Sequence, residues 1–153
     1  MHALPRYPPS GADVTQVSNL RAASKTALLV EDDPALLDML AKTLERAGFT
    51  VVTAVHGVDA LAQLRALSVD IVVTDILMPE LDGFELIRTL QAKWPELPIV
   101  AMSGIADTPN FRNLALKFGA KAALSKPVNR AHLVEVMRDV MQPEAPSGRA
   151  AQA

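Results

Sequence analysis

The chain has 153 residues, half of them apolar, with 15 Lys and Arg against 17 Asp and Glu. That length suits one ordinary domain, and a near-balanced charge with no long basic run gives no nucleic-acid footprint. The absence of cysteine excludes disulfides and thiolate metal sites. No apolar stretch approaches the roughly 20 residues needed to span a bilayer, and the N-terminus lacks the charged-then-apolar profile of a secretory signal. A soluble, cytoplasmic protein with no membrane partner is expected.

Residues 1–24 are Pro-rich and without periodicity, and offer no apolar face to offset the entropy of ordering. They read as a disordered leader or linker. Residues 143–153 read as a disordered tail, leaving a domain over residues 25–142. Within it, Ala27 to Val30 is a continuous apolar run, as expected of a strand covered on both faces. Asp33 then suits an N-cap and Pro34 a first helical position, where its missing N–H costs nothing. Leu37, Leu40 and Leu44 line that helix, and Gly48 closes it. Thr50 to Ala54 predicts a second strand, and Val58, Leu61, Ala62 and Leu64 a short second helix. Asp70 to Asp75 is a third strand ending on an acid. Phe84, Ile87 and Leu90 mark a third helix that stops near Trp94-Pro95.

Pro98 to Met102 is a fourth strand. Thr108-Pro109 repeats the cap-then-proline start of a helix whose face is filled by Phe111, Leu114 and Phe118 before Gly119. Lys121 to Ser125 is a weaker fifth strand, and Asn129 caps a last helix carrying Leu133, Val136, Met137 and Val140. Five strands alternating with five helices predict an α/β fold, a five-stranded parallel sheet wound on both faces through right-handed crossovers. Ligand sites in such sheets gather beyond the C-terminal ends of the strands.

Those ends carry Glu31, Asp32 and Asp33, then Asp75, then Ser103-Gly104, then Lys126-Pro127. Taken singly, each has an ordinary explanation. Asp33 serves as a helix cap, Asp75 as a turn-forming acid, Ser103 as a cap and Lys126 as a solvated amine. Their joint arrival at successive strand ends is harder to dismiss. Glu31 and Asp32 precede the cap and would face Asp75, and three unpaired carboxylates together call for a cation. Oxygen-only donors favour Mg²⁺ over zinc.

Four blocks carry a resemblance. Leu-Leu-Val-Glu-Asp-Asp-Pro, Val-Val-Thr-Asp-Ile-Leu-Met-Pro-Glu-Leu-Asp-Gly, Val-Ala-Met-Ser-Gly and Ala-Leu-Ser-Lys-Pro resemble the signature blocks of response-regulator receiver domains of two-component signalling, in order, over residues 26–142. The resemblance implies the (βα)5 fold of chemotaxis regulators, with the flavodoxin-like strand order 2-1-3-4-5. It implies that Asp75 is phosphorylated. Glu31 and Asp32, with Asp75 and the main-chain carbonyl of Leu77, would hold Mg²⁺. Ser103 would be the switch hydroxyl, Gly104 the small residue that leaves room for the phosphoryl group, and Lys126 its counter-ion, with a cis Lys126-Pro127 bond. The implied donor is a phosphohistidine on a histidine kinase or phosphotransfer protein. The implied output is an altered surface on the fourth helix, fifth strand and fifth helix, offered to a downstream protein or to a second copy in a homodimer.

The chain departs from the family pattern in places. Ala123 stands where the family carries a Tyr or Phe, and Val128 follows Lys126-Pro127 where Phe is common. Leu77 and Ile105 would flank an attacking water and offer it no hydrogen bond, which predicts slow self-dephosphorylation. A haloacid-dehalogenase-type enzyme is disfavoured, because Asp75-Ile76-Leu77 lacks that class's second acid. No P-loop pattern occurs, and His2, His56 and His132 are scattered, as expected of surface residues. Retention of Asp32, Asp75, Ser103 and Lys126 argues against a binding module that has lost the chemistry. With no output domain visible, a single-domain switch or a receiver excised from a hybrid kinase is expected.

Overall fold

Apolar runs without alternation cannot leave one face of a sheet in water, and the central strands Thr26–Val30, Ile71–Asp75 and Ile99–Ser103 are buried at every position but Thr26. The computed structural model describes residues 24–77, 83–104 and 109–142. Its elements in chain order are β1 (Thr26–Val30), α1 (Pro34–Arg46), β2 (Thr50–Ala54), α2 (Gly57–Ala66) and β3 (Ile71–Asp75). There follow α3 (Gly83–Lys93), β4 (Ile99–Ser103), α4 (Pro109–Phe118), β5 (Ala122–Ser125) and α5 (Arg130–Met141). The strands form one parallel sheet in the order β2-β1-β3-β4-β5, the doubly wound α/β arrangement expected from the alternation and the resemblance.

Alternation along the buried strands divides the core in two. Leu28, Val30, Val72, Ile99 and Ala101 face a layer of Ala60, Leu64, Leu86, Ile87, Leu90, Phe111 and Ala115, contributed by α2, α3 and α4. Ala27, Leu29, Ile71, Val73, Val100 and Met102 face Leu40, Leu44, Leu133 and Met137, from α1 and α5. The local signals act as read. Asp33 accepts from the Ala35 and Leu36 N–H groups, Pro34 opens α1, and Asn129 accepts from the His132 N–H. Gly48 and Gly119 take positive φ, +100° and +124°, just past α1 and α4, the left-handed exit that favours glycine.

Several expectations need correction. On α4 the buried positions are Phe111 and Ala115, while Leu114 and Phe118 are exposed. Phe118 rests its ring against Phe84 of α3, with centroids 5.3 Å apart, rather than entering the core. Val58 is also exposed, and α2 buries Gly57, Ala60 and Leu64 instead. His56 is half-buried and caps α2, its Nδ1 accepting from the Asp59 N–H at 3.1 Å; His132 is exposed as expected. The strand bounds differ from expectation by one residue or fewer at each end. The proposed Thr108 cap, Ile105, His2, residues 1–23 and residues 143–153 lie outside the described residues. Among the described residues no helix is long and apolar enough to cross a membrane.

Candidate functional site

Strand order decides which C-terminal ends become neighbours. β1 and β3 pair side by side with Val30 opposite Thr74, so the next residue of each strand, Glu31 and Asp75, emerge together. β4 and β5 pair with Ser103 opposite Ser125, and the Lys126 N–H donates to the Ser103 carbonyl at 2.9 Å. Glu31, Asp75, Ser103 and Lys126 thus reach one end of the sheet, each from a different strand. Glu31, Asp75 and Ser103 are buried, and the Lys126 side chain is 20% exposed.

The Lys126 ammonium binds two acids at once. Its Nζ donates to Glu31 Oε2 at 2.7 Å and lies 3.2 Å from Asp75 Oδ2. Burial pushes the Glu31 carboxyl above its ordinary value, opposed by the Lys126 hydrogen bond and the Asp33 N–H, and reinforced by the charge of Asp75. Burial alone would lower the Lys126 ammonium. The hydrogen bond to Glu31 and the charges of Asp75 and Glu31 outweigh it, and the net direction is upward. The lysine is held charged, while one of its acids carries charge at a cost.

Asp32, exposed, completes an acidic triad. Glu31, Asp32 and Asp75 each offer a carboxylate oxygen, all within 4.8 Å of one another. Against three carboxylates Lys126 supplies a single positive charge. The donor set is oxygen only, and the charge left over matches a hard divalent cation rather than a soft one. The residues present therefore fit Mg²⁺. Asp33 takes no part in the triad, because its Oδ1 is engaged at the start of α1.

Leu77 is 54% exposed, and its N–H donates to Asp75 Oδ1 at 3.4 Å. Among the described residues, a Cβ at Gly104 would meet nothing within 4 Å. The Lys126-Pro127 peptide is cis. Ala123 is buried on β5 in the same cluster as Phe111 and Ala115. A cavity of about 890 Å³ lined by Lys25, Asp70 and Lys121 lies at the opposite, N-terminal end of the strands and shares no residue with this site. Two residues given no role in the sequence reading touch the backbone of Asp75. The buried Thr74 hydroxyl donates to the Asp75 carbonyl at 2.9 Å, and Gly83 packs against the same carbonyl. A polar residue inside an otherwise apolar strand was the only sequence signal for Thr74.

A five-stranded sheet in this order, with a lysine and an acidic triad at its C-terminal end, is the architecture of a signalling receiver. The response regulator receiver domain family matches residues 27–138, and the chain belongs to that family. Among individual proteins it is similar to the transcriptional regulatory protein GlrR of Escherichia coli, 34% identical over 120 residues, covering 78% of this chain and 27% of that one. It is 37% identical over 125 residues to the sensor kinase CckA of Brucella abortus, covering 79% of this chain and 13% of the kinase. The response regulator MprA of Mycobacterium ulcerans is 35% identical and 49% covered. The chain thus spans half or less of the length of these three relatives. Among solved structures, the chemotaxis response regulator CheY4 of Vibrio cholerae superposes with a TM-score of 0.72 at 28% identity, covering 77% of this chain and 99% of that one. A receiver domain protein from Methanospirillum hungatei gives 0.73 at 28% identity, covering 78% and 94%.

Proposed function

We propose that this receiver domain accepts a phosphoryl group on Asp75 from a phosphohistidine of a histidine kinase or phosphotransfer protein, with Mg²⁺ as cofactor. The observation that carries this is the convergence of Lys126 on Asp75 and Glu31 inside an acidic triad. In the proposed transfer an Asp75 carboxylate oxygen bonds to phosphorus while the phosphorus–nitrogen bond to the donor imidazole breaks, giving an acyl phosphate. Such transfers are dominated by positioning and charge neutralisation. Lys126, already charged and 3.2 Å from Asp75 Oδ2, would neutralise one phosphoryl oxygen. Ser103, at the end of the neighbouring strand, would donate its hydroxyl to another. Glu31, Asp32, Asp75 and the Leu77 carbonyl would hold Mg²⁺, which supplies positive charge to the phosphoryl oxygens when bound. The chain would catalyse only its own phosphorylation and dephosphorylation.

The output we propose is a protein-binding switch within a domain of residues 25–142, offered to a downstream protein target rather than to nucleic acid. A phosphate adds about −1.5 to −2 units of charge, to which Lys126 and Ser103 would be drawn, biasing an existing equilibrium between two arrangements. With Ala123 on β5, no aromatic ring at that position can report the change, so the switch would run through movement of the main chain or through another element. Acetyl phosphate with Mg²⁺ is expected to alter amide exchange in α4, β5 and α5 selectively. Unchanged exchange in a protein shown by mass to be phosphorylated would reject the switch.

A further inference from the structure

We propose that Gly83 and Thr74 are positioning residues, which clamp the main chain of residues 75–77 so that the Asp75 carboxylate and the Leu77 carbonyl can serve one cation. The inference rests on the metal and phosphoacceptor roles proposed for those residues. Four ties meet on this short segment. The Gly83 N–H donates to the Ile76 carbonyl at 2.8 Å, so the first residue of α3 is bonded back to the turn that leaves β3. The Ile76 N–H donates to the Met102 carbonyl at 3.0 Å, holding the turn to β4. The wholly buried Thr74 hydroxyl donates to the Asp75 carbonyl at 2.9 Å. The Leu77 N–H reaches Asp75 Oδ1 at 3.4 Å, which links the carboxylate's orientation to the same main chain.

Gly83 can take its place only because it has no side chain. A Cβ there would overlap Ile76 Cα and lie 2.5 Å from the Asp75 carbonyl oxygen. Both are backbone atoms, so no rotamer change relieves the clash, and the turn after β3 must move away from α3. Gly119 is a useful contrast. An alanine there would be strained by the φ of +124°, but the three atoms nearest its Cβ all belong to the flexible Gln91 side chain. It also precedes β5, at the end of the sheet away from the site. A mutation at Gly119 therefore loses stability without reaching the site, whereas one at Gly83 should displace two of the metal's donors.

The test is titration of the intact chain with Mg²⁺ alone, by calorimetry and by the Mg²⁺-induced rise in melting temperature. The panel is Gly83→Ala, Thr74→Val, Thr74→Ser and Gly119→Ala beside wild type. Groups that orient metal ligands typically contribute about 10- to 100-fold in affinity. Gly83→Ala and Thr74→Val are expected to weaken Mg²⁺ at least roughly tenfold, the lower end of that range. Thr74→Ser should restore it, and Gly119→Ala should melt lower with unchanged Mg²⁺ affinity. Wild-type Mg²⁺ affinity in Gly83→Ala and Thr74→Val would overturn the proposal and leave both residues a purely structural role. If Gly83→Ala does not fold, the Thr74 pair decides. Failure of wild type to take a phosphoryl group from acetyl phosphate would instead remove the phosphoacceptor function, which this titration does not measure.

Discussion

Lys126→Met is expected to lower the stability of the metal-free protein by about 3 kcal/mol at pH 7, and by clearly less at pH 5. Removing one partner of a buried ion pair leaves the other charge uncompensated, which costs about 3–5 kcal/mol. The lower end applies, because the lysine is 20% exposed. The pH dependence follows from Glu31, whose carboxyl is already raised above its ordinary value of 4.5 by burial. A raised carboxyl contributes most favourably below that ordinary value, and its contribution is lost as pH rises through the folded value. Without Lys126 the folded value climbs further, so the variant suffers most at neutrality and recovers as acid neutralises Glu31. Acid also removes the Lys126–Glu31 attraction from wild type, and the gap narrows from both sides. On the alkaline side, Lys126 is raised above 10.5, so its contribution persists to that pH and is lost above it. Urea unfolding in EDTA at pH 7 and pH 5 measures the gap. A difference that stays constant with pH would show that Glu31 is not the group left uncompensated.

Asp75→Asn is expected to make the metal-free protein more stable by about 1 kcal/mol while abolishing phosphoryl uptake. Asp75 raises Glu31 through its charge and belongs to a triad whose oxygens lie within 4.8 Å of one another. The asparagine carbonyl oxygen can still accept from the Leu77 N–H, and Lys126 keeps its 2.7 Å bond to Glu31. What disappears is repulsion between buried acids that lack sufficient counter-charge. Mg²⁺ should stabilise wild type more than the variant, because binding to the native state alone adds stability by mass action. Urea unfolding in EDTA that shows the variant unchanged or weaker would contradict this view of the site as electrostatically unfavourable until a cation binds.

Much of the fold was legible because it rests on local chemistry. Continuous apolar runs gave buried strands, and Asp33-Pro34 and Asn129 gave helix starts, since each effect is local to a few neighbouring residues. The site was legible for a different reason. In a parallel sheet every strand ends on the same side, so the residues that end or follow β1, β3, β4 and β5 share one edge of the sheet. What failed was the choice among overlapping apolar stripes. On α4, Phe111 can be continued by Leu114 and Phe118 or by Ala115, and hydrophobicity favours the larger residues. Close packing onto the sheet selects the small one, and Phe118 finds Phe84 instead. His56 was missed as a cap because imidazole is not among the favoured N-cap side chains. The close Lys126–Glu31 pair depends on how β1 and β5 flank the central strands, and no spacing in the sequence reports that distance. Thr74 and Gly83 were invisible as supports, because their roles consist of one buried hydroxyl and one missing Cβ.

The Mg²⁺-dependent acyl phosphate proposed on Asp75 is tested most directly by intact mass after incubation with acetyl phosphate. Wild type with Mg²⁺ should gain one phosphoryl group, and neither wild type in EDTA nor Asp75→Ala should gain any. No added mass in wild type under any condition, or equal addition in Asp75→Ala, would contradict the claim and turn attention from the acidic triad to the domain's binding surfaces.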